Sequence, residues 1–196
     1  MANTAVKFGF RHIGYLPGGA PDYQMATGVI LSANTTKIFR GDPVCFDPTS
    51  GAVVQGANNT SMLFGIFDGC MYTPVGGTPT WSPFWPGAAG GPATAYVISA
   101  PNALFMAAAL NTSLVTANLG ENVGFTIGTG NTATGVSAAT IDQASLGATI
   151  TLPFRVVDLA SKYLPAGTNG ADVSTAFAWA VVTFNNQQYK TQTAVV

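Results

Sequence analysis

The chain has 196 residues, 47% of them hydrophobic and only 8% charged, with a net charge of −1. Soluble domains carry about 25% charged residues. The composition therefore excludes a disordered chain, which is polar and charged, and lacks the clustered Lys and Arg that nucleic-acid binding requires.

Residues 1–24 read as an extended arm. Phe8, Phe10, Ile13, Tyr15 and Leu16 are apolar, with Lys7, Arg11, His12 and Asp22 between them, and Pro17-Gly18-Gly19-Ala20-Pro21 breaks any regular element. So much apolar surface must lie on something, either its own domain or a neighbour. Residues 25–196 read as a single β domain. Gly28 to Ser32 is a short apolar run, and Lys37 to Phe46 is another, broken at Gly41-Asp42-Pro43. Asp47-Pro48-Thr49-Ser50-Gly51 is a turn signal, with proline presetting φ and glycine allowing φ > 0, so Ala52 to Gln55 should return as a hairpin. Met62 to Phe67 and Cys70 to Tyr72 flank Asp68-Gly69, which reads as a second hairpin turn.

Residues 73–92 form a long loop rich in proline and glycine that carries Trp81, Phe84 and Trp85. Loops of this length are often functional or packed by their own side chains. Strand-like runs resume at Thr94 to Ser99, Ala103 to Ala109 and Val123 to Ile127, with one helical turn as an alternative over Ala107 to Leu110. Gly128 to Ala139 reads as a flexible hairpin. Thr149 to Leu159 reads as a strand with an edge or bulge at Pro153, Ala176 to Phe184 as a central strand, and Tyr189 to Val196 as an added edge strand. Short strands separated by Gly/Pro turns, with no sustained helical periodicity, predict an all-β fold, a barrel or sandwich of short antiparallel strands.

The low charge leaves two explanations: a chain in a membrane, or one that hides its surface in an assembly. The longest apolar run, Ala95 to Leu110, is interrupted by Ser99, Pro101 and Asn102. A spanning helix needs about 20 apolar residues. A membrane barrel would normally follow a signal peptide, and the residues from Met1 to Arg11 do not read as one. No membrane is therefore expected. Cys45 and Cys70 lie in apolar runs and read as buried thiols rather than a disulfide framework. Sequons at Asn34, Asn58, Asn59 and Asn111 are what so much Asn and Thr yields by chance.

Chemistry is sparse. His12 is the only histidine, and an arm holds a base poorly, so an interface role suits it better than catalysis. Asp42, Asp47 and Asp68 each adjoin a turn residue, where Asp side chains bond the local backbone. Glu121 is the sole glutamate. One His and two distant Cys make no metal site, and Gly128-Thr129-Gly130 lacks the spacing of a dinucleotide loop. No enzyme activity, cofactor or metal is expected. Trp81 and Trp85 are either a sugar-stacking platform, as in a carbohydrate-binding or adhesion module, or pins holding the long loop on the domain or a neighbour; tryptophan's enrichment at interfaces favours the second.

An ordered set of motifs resembles a family of tailed-bacteriophage capsid decoration (cement) and head structural proteins. The set opens with Phe8-Gly9-Phe10-Arg11 and Gly14-Tyr15-Leu16, and continues with Gly41-Asp42-Pro43-Val44, Gly51 to Val54, and Gly65-Ile66-Phe67 with Gly69 and Tyr72. Trp81 and Trp85, the segment Ala95 to Phe105, Leu152-Pro153-Phe154-Arg155-Val156 and Val181 to Tyr189 complete it. The resemblance implies a structural virion protein, made in the host cytoplasm and placed on the outer surface of a capsid. It would tie major capsid protein subunits together, as a homotrimer. Tail and minor head proteins are the neighbouring alternative. Phe8, Phe10, Arg11, Tyr15, Tyr23, Trp81, Phe84 and Trp85 are the expected interface residues.

Overall fold

In the computed structural model, residues 2–22, 24–109 and 113–190 are described. The chain is nearly all β, with 41% strand and 3% helix, and every paired strand is antiparallel. In chain order the strands are β1 (Arg11–Tyr15), β2 (Ala26–Ile30), β3 (Ile38–Phe39), β4 (Pro43–Phe46), β5 (Val53–Gln55), β6 (Gly65–Tyr72) and β7 (Thr80–Ser82). They continue as β8 (Phe84–Trp85), β9 (Ala93–Ile98), β10 (Ala103–Ala108), β11 (Asn122–Thr126), β12 (Thr140–Gly147), β13 (Phe154–Leu159) and β14 (Trp179–Phe184).

Two sheets carry the fold. The first has the order β1-β10-β14-β13-β11-β12; the second has β2-β9-β6-β4-β5, with β7 added to β6. A small β3–β8 pair completes the described strands. Each large sheet bends round its own core. In the first, Phe105, Phe125, Phe154 and Phe184 are fully buried, and Phe154 stacks on Phe184 at 5.7 Å. In the second, Trp85, Phe64 and Phe67 pack with Ile30, Ile38, Val44, Val53, Ala95 and Val97. The outer strands β2 and β5 approach each other. Gly28 permits this closure, because a Cβ there would stand 2.4 Å from Val53 Cγ2.

The two cores meet along a seam. Ile66 of β6 and Ile98 of β9 turn away from the second core and pack in the first, together with Leu63. Asp42, at the β3–β4 corner, is fully buried and accepts hydrogen bonds from the Phe39 amide (2.8 Å), Gln55 Nε2 (2.7 Å) and the Ser137 hydroxyl (2.5 Å). Beyond β14, the buried Gln187 donates from Nε2 to the carbonyls of Phe64 and Ser99, both at 3.0 Å. Buried polar groups are tolerable only when partnered in this way.

Several expectations change. The segment read as an arm enters the fold: Arg11–Tyr15 pairs with β10, and Phe10 is 2% exposed inside the first core. Its own domain buries Phe10 and half-buries Phe8, Ile13 and Tyr15, while Leu16 stays exposed. Asp68-Gly69 is not a hairpin turn. β6 runs through it, and the ladder with β9 shifts between Phe67 and Gly69, so a bulge absorbs the extra residue. The loop at 73–92 contains β7 and β8. Ala107 and Ala108 are strand rather than helical turn, whereas Leu110 lies outside the described residues. Tyr189 and Lys190 are not in a strand, and the remainder of that expected edge lies outside the described residues. The Asp47 turn and the β4–β5 hairpin match the reading: Phe46 pairs with Val53, and Asp47 Oδ1 accepts the Thr49 amide at 3.2 Å.

Candidate functional site

The outer face of the second sheet presents a row that strand register assembles from four strands. Val29 of β2 pairs with Thr94 of β9, Thr94 with Met71 of β6, and Met71 with Trp81 of β7. Paired residues in a ladder project to the same side. All four are exposed, Val29 by 51%, Met71 by 38% and Trp81 by 50%. The alternation that buries Ala95 and Cys70 turns Thr94 and Met71 outward. Tyr96, half-buried, lies one pair along, opposite Thr27 and Gly69. The Trp81 ring lies across Gly69: a Cβ on that glycine would meet Trp81 Cζ2 at 2.9 Å and Ser82 O at 2.9 Å. β2, β7 and β9 carry no charged residue, and β6 carries only Asp68.

Along the seam, this face runs into a cleft of about 310 Å³ between β1 and the β6–β9 pair. Ile66, Ile98 and Phe10 line its floor, and Arg11, Arg40 and Asp68 supply its charge. Arg40 Nε donates to Asp68 Oδ1 at 2.7 Å. His12 also faces the cleft; its Nε2 donates to the Gly14 carbonyl at 3.0 Å, and its ring packs on Tyr15 and Phe105. Burial holds the His12 pKa below its ordinary value, against the pull of the Gly14 carbonyl and of Asp22 and Asp68. The imidazole is therefore neutral near pH 7 and adds no charge to the cleft.

The expected interface residues divide. Arg11 is exposed and Trp81 half exposed, while Phe8 packs edge-on against Trp179 at 4.6 Å. Tyr15 is half-buried; its hydroxyl donates to Asp22, and burial together with that carboxylate pushes the phenol up to about 12. Phe84 is half-buried and stacks on Phe39 at 5.6 Å. Phe10 and Trp85 are corrections, because both are core residues. Trp85 is 0% exposed, and its indole N–H donates to Asn34 O at 2.9 Å. Trp81 and Trp85 therefore do not form a shared stacking platform; one faces out and the other pins the loop to the core. Tyr23 lies outside the described residues.

The chemical groups sit in structural settings. Asp47 holds a turn, Asp42 ties the seam, and Asp68 is ion-paired within a bulge rather than bonded to a turn backbone. Burial pushes the Asp42 carboxyl up, opposed by its three hydrogen-bond donors. Cys45 and Cys70 are both free thiols. Burial pushes the Cys70 thiol up to about 12, so it is not the thiolate a nucleophile requires. Among the described residues, no group of three or more His, Cys, Asp or Glu side chains could hold a metal ion, and no helix is long and apolar enough to cross a membrane. Val29, Met71, Tyr96 and Arg40 escaped the sequence reading. Alternation marks Met71 and Thr94 as outward-facing, but only register brings four strands into one row.

Comparisons with protein-family models, with curated proteins and with solved structures give no match to this chain.

Proposed function

We propose that this chain is a non-enzymatic virion protein that decorates and stabilises a tailed-phage capsid, binding over major capsid protein subunits from the outside as a homotrimer. The observation that carries this reading is the uncharged row Val29–Thr94–Met71–Trp81 on a sheet face. Exposed apolar patches mark surfaces that are covered in use, and tryptophan and methionine are enriched at such interfaces. The ordered motif resemblance gives the partner, and the 8% charged fraction agrees with a chain that buries much of its surface against others. Many symmetry-related contacts turn individually weak attachments into nearly permanent ones.

The row itself supplies the test. A Trp81→Ala, Met71→Ser double variant should fold, since both residues lie on the outer face of the sheet and outside both cores. It should bind shells of the cognate capsid protein at least about tenfold more weakly, which corresponds to about 1.4 kcal/mol. Cosedimentation with empty shells reads this, and unchanged binding would remove the row from the interface. Trp81 alone, half exposed and flat, keeps a glycan-binding reading open to the same variant: a glycan array that lights up with the wild type and goes dark with the variant would favour an adhesion module.

A further inference from the structure

We infer that the cleft between β1 and the β6–β9 pair is a docking site for an extended, apolar peptide segment that carries one aspartate or glutamate. The inference goes beyond capsid binding, because the cleft defines its ligand by its own chemistry. Its open apolar surface is that of Phe8 and Val136, both half-buried, over a floor closed by the buried Phe10, Ile66 and Ile98, and its volume of about 310 Å³ suits a few side chains rather than a cofactor. Two guanidinium groups face it against a single carboxylate. Arg40 uses Nε on Asp68, and among the described residues its terminal N–H groups meet no other acceptor. Arg11 is exposed and, among the described residues, has no ion pair or hydrogen bond from its guanidinium. With His12 buried and neutral, the groups that line the cleft carry one net positive charge, and Asp22 acts on His12 from outside that lining.

That combination selects its occupant. A guanidinium matches the two oxygens of a carboxylate with parallel N–H donors, a geometry that lysine cannot offer. A free phosphate satisfies the charge but stays strongly hydrated and leaves Phe8 and Val136 uncovered. An acidic side chain flanked by apolar residues satisfies both. The strands that wall the cleft favour an extended segment over a helix. The carboxylate would bridge Arg11 and the free end of Arg40, and its neighbours would cover Phe8 and Val136.

The test uses the full chain and two blocked peptides, acetyl-Val-Asp-Val-amide and acetyl-Val-Asn-Val-amide, with sodium phosphate as a third probe, followed by amide and arginine Nε–H NMR. The aspartyl peptide should shift Arg11, Arg40, Gly41 and Ile98, and should bind at least tenfold more tightly than the asparaginyl peptide. Arg11→Gln, a change at an exposed position, should abolish that preference, and Arg11→Lys should recover only part of it. Equal titration by the two peptides overturns the proposal, as does a preference that survives Arg11→Gln. So does phosphate matching the aspartyl peptide at the same resonances, which would make the cleft a generic anion site. These outcomes are separate from shell binding through Trp81, so the failure of either reading leaves the other standing.

Discussion

Phe10 stacks on Phe154 with ring centroids 4.5 Å apart and planes 14° from parallel, and meets Phe125 edge-on at 6.4 Å. Nothing in its immediate sequence distinguishes it from Phe8, two residues earlier. Both flank Gly9, whose φ of 71° turns the chain so that one ring enters the core and the other stays half-buried beside Trp179. A Cβ on Gly9 would also meet Gly41 O at 2.8 Å, so the glycine permits the close approach that buries Phe10. Removing a buried phenylalanine costs the transfer of its ring plus the cavity left behind. Phe10→Ala should therefore destabilise the protein by about 3–5 kcal/mol in urea unfolding. A loss below about 1 kcal/mol would mean that this segment is not part of the core. It follows that deleting residues 1–24 should unfold the protein rather than free an intact domain, the reverse of what an arm predicts. The sequence identifies an apolar segment that must be covered; it does not say that its own domain does the covering, because the partner strand β10 lies about 90 residues further along.

β6 shows how far element-level reading reaches. Its eight residues Gly65–Tyr72 include Asp68-Gly69, a pair that ordinarily signals a hairpin. Local turn chemistry loses here to tertiary pairing: β6 is a central strand, flanked by β4 and β9 and extended by β7. Alternation sends Ile66 into the first core and Phe67 into the second, and the bulge at Asp68 returns Cys70, three residues on, to the same core as Phe67. Gly69 is required by crowding, not by a turn. Gly69→Ala would drive a Cβ into the Trp81 ring and the Ser82 carbonyl, so it should cost about 1–3 kcal/mol. Gly147→Ala in β12, where nothing lies within 4 Å of the added carbon, should stay within about 0.5 kcal/mol of wild type. Denaturant titration of the pair checks the contrast, and equal stabilities would contradict the packing described for β6 and β7. β12 itself was not legible: Asp142, Gln143, Ala144, Ser145 and Gly147 are poor strand formers, and β12 exists because β11 pairs with it. The strongly apolar strands β9, β10 and β14 were readable because burial on a sheet requires β-branched, aromatic or small apolar residues over short runs.

At the scale of the molecule, the two sheets and their cores are tied by shared apolar residues, by the Asp42–Ser137 hydrogen bond and by Gln187. These ties span up to 123 residues of sequence, which is why composition and turn spacing gave the all-β class but neither the two-core arrangement nor the seam. The candidate surface shares that origin. Trp81 stood out as a residue, but its partners Val29, Thr94 and Met71 come from strands that only the ladder order brings together. Joined along the seam, the uncharged face and the arginine cleft give the protein one side suited to lying on another protein. The proposed occupant of this side is a capsid. Titrating the purified protein onto empty shells of the cognate major capsid protein, with light scattering for stoichiometry and a thermal melt for the shell, tests it most directly. Saturation at three copies per threefold or quasi-threefold site and a higher shell melting temperature are expected; a protein that remains free in solution and leaves the melt unchanged would contradict capsid binding.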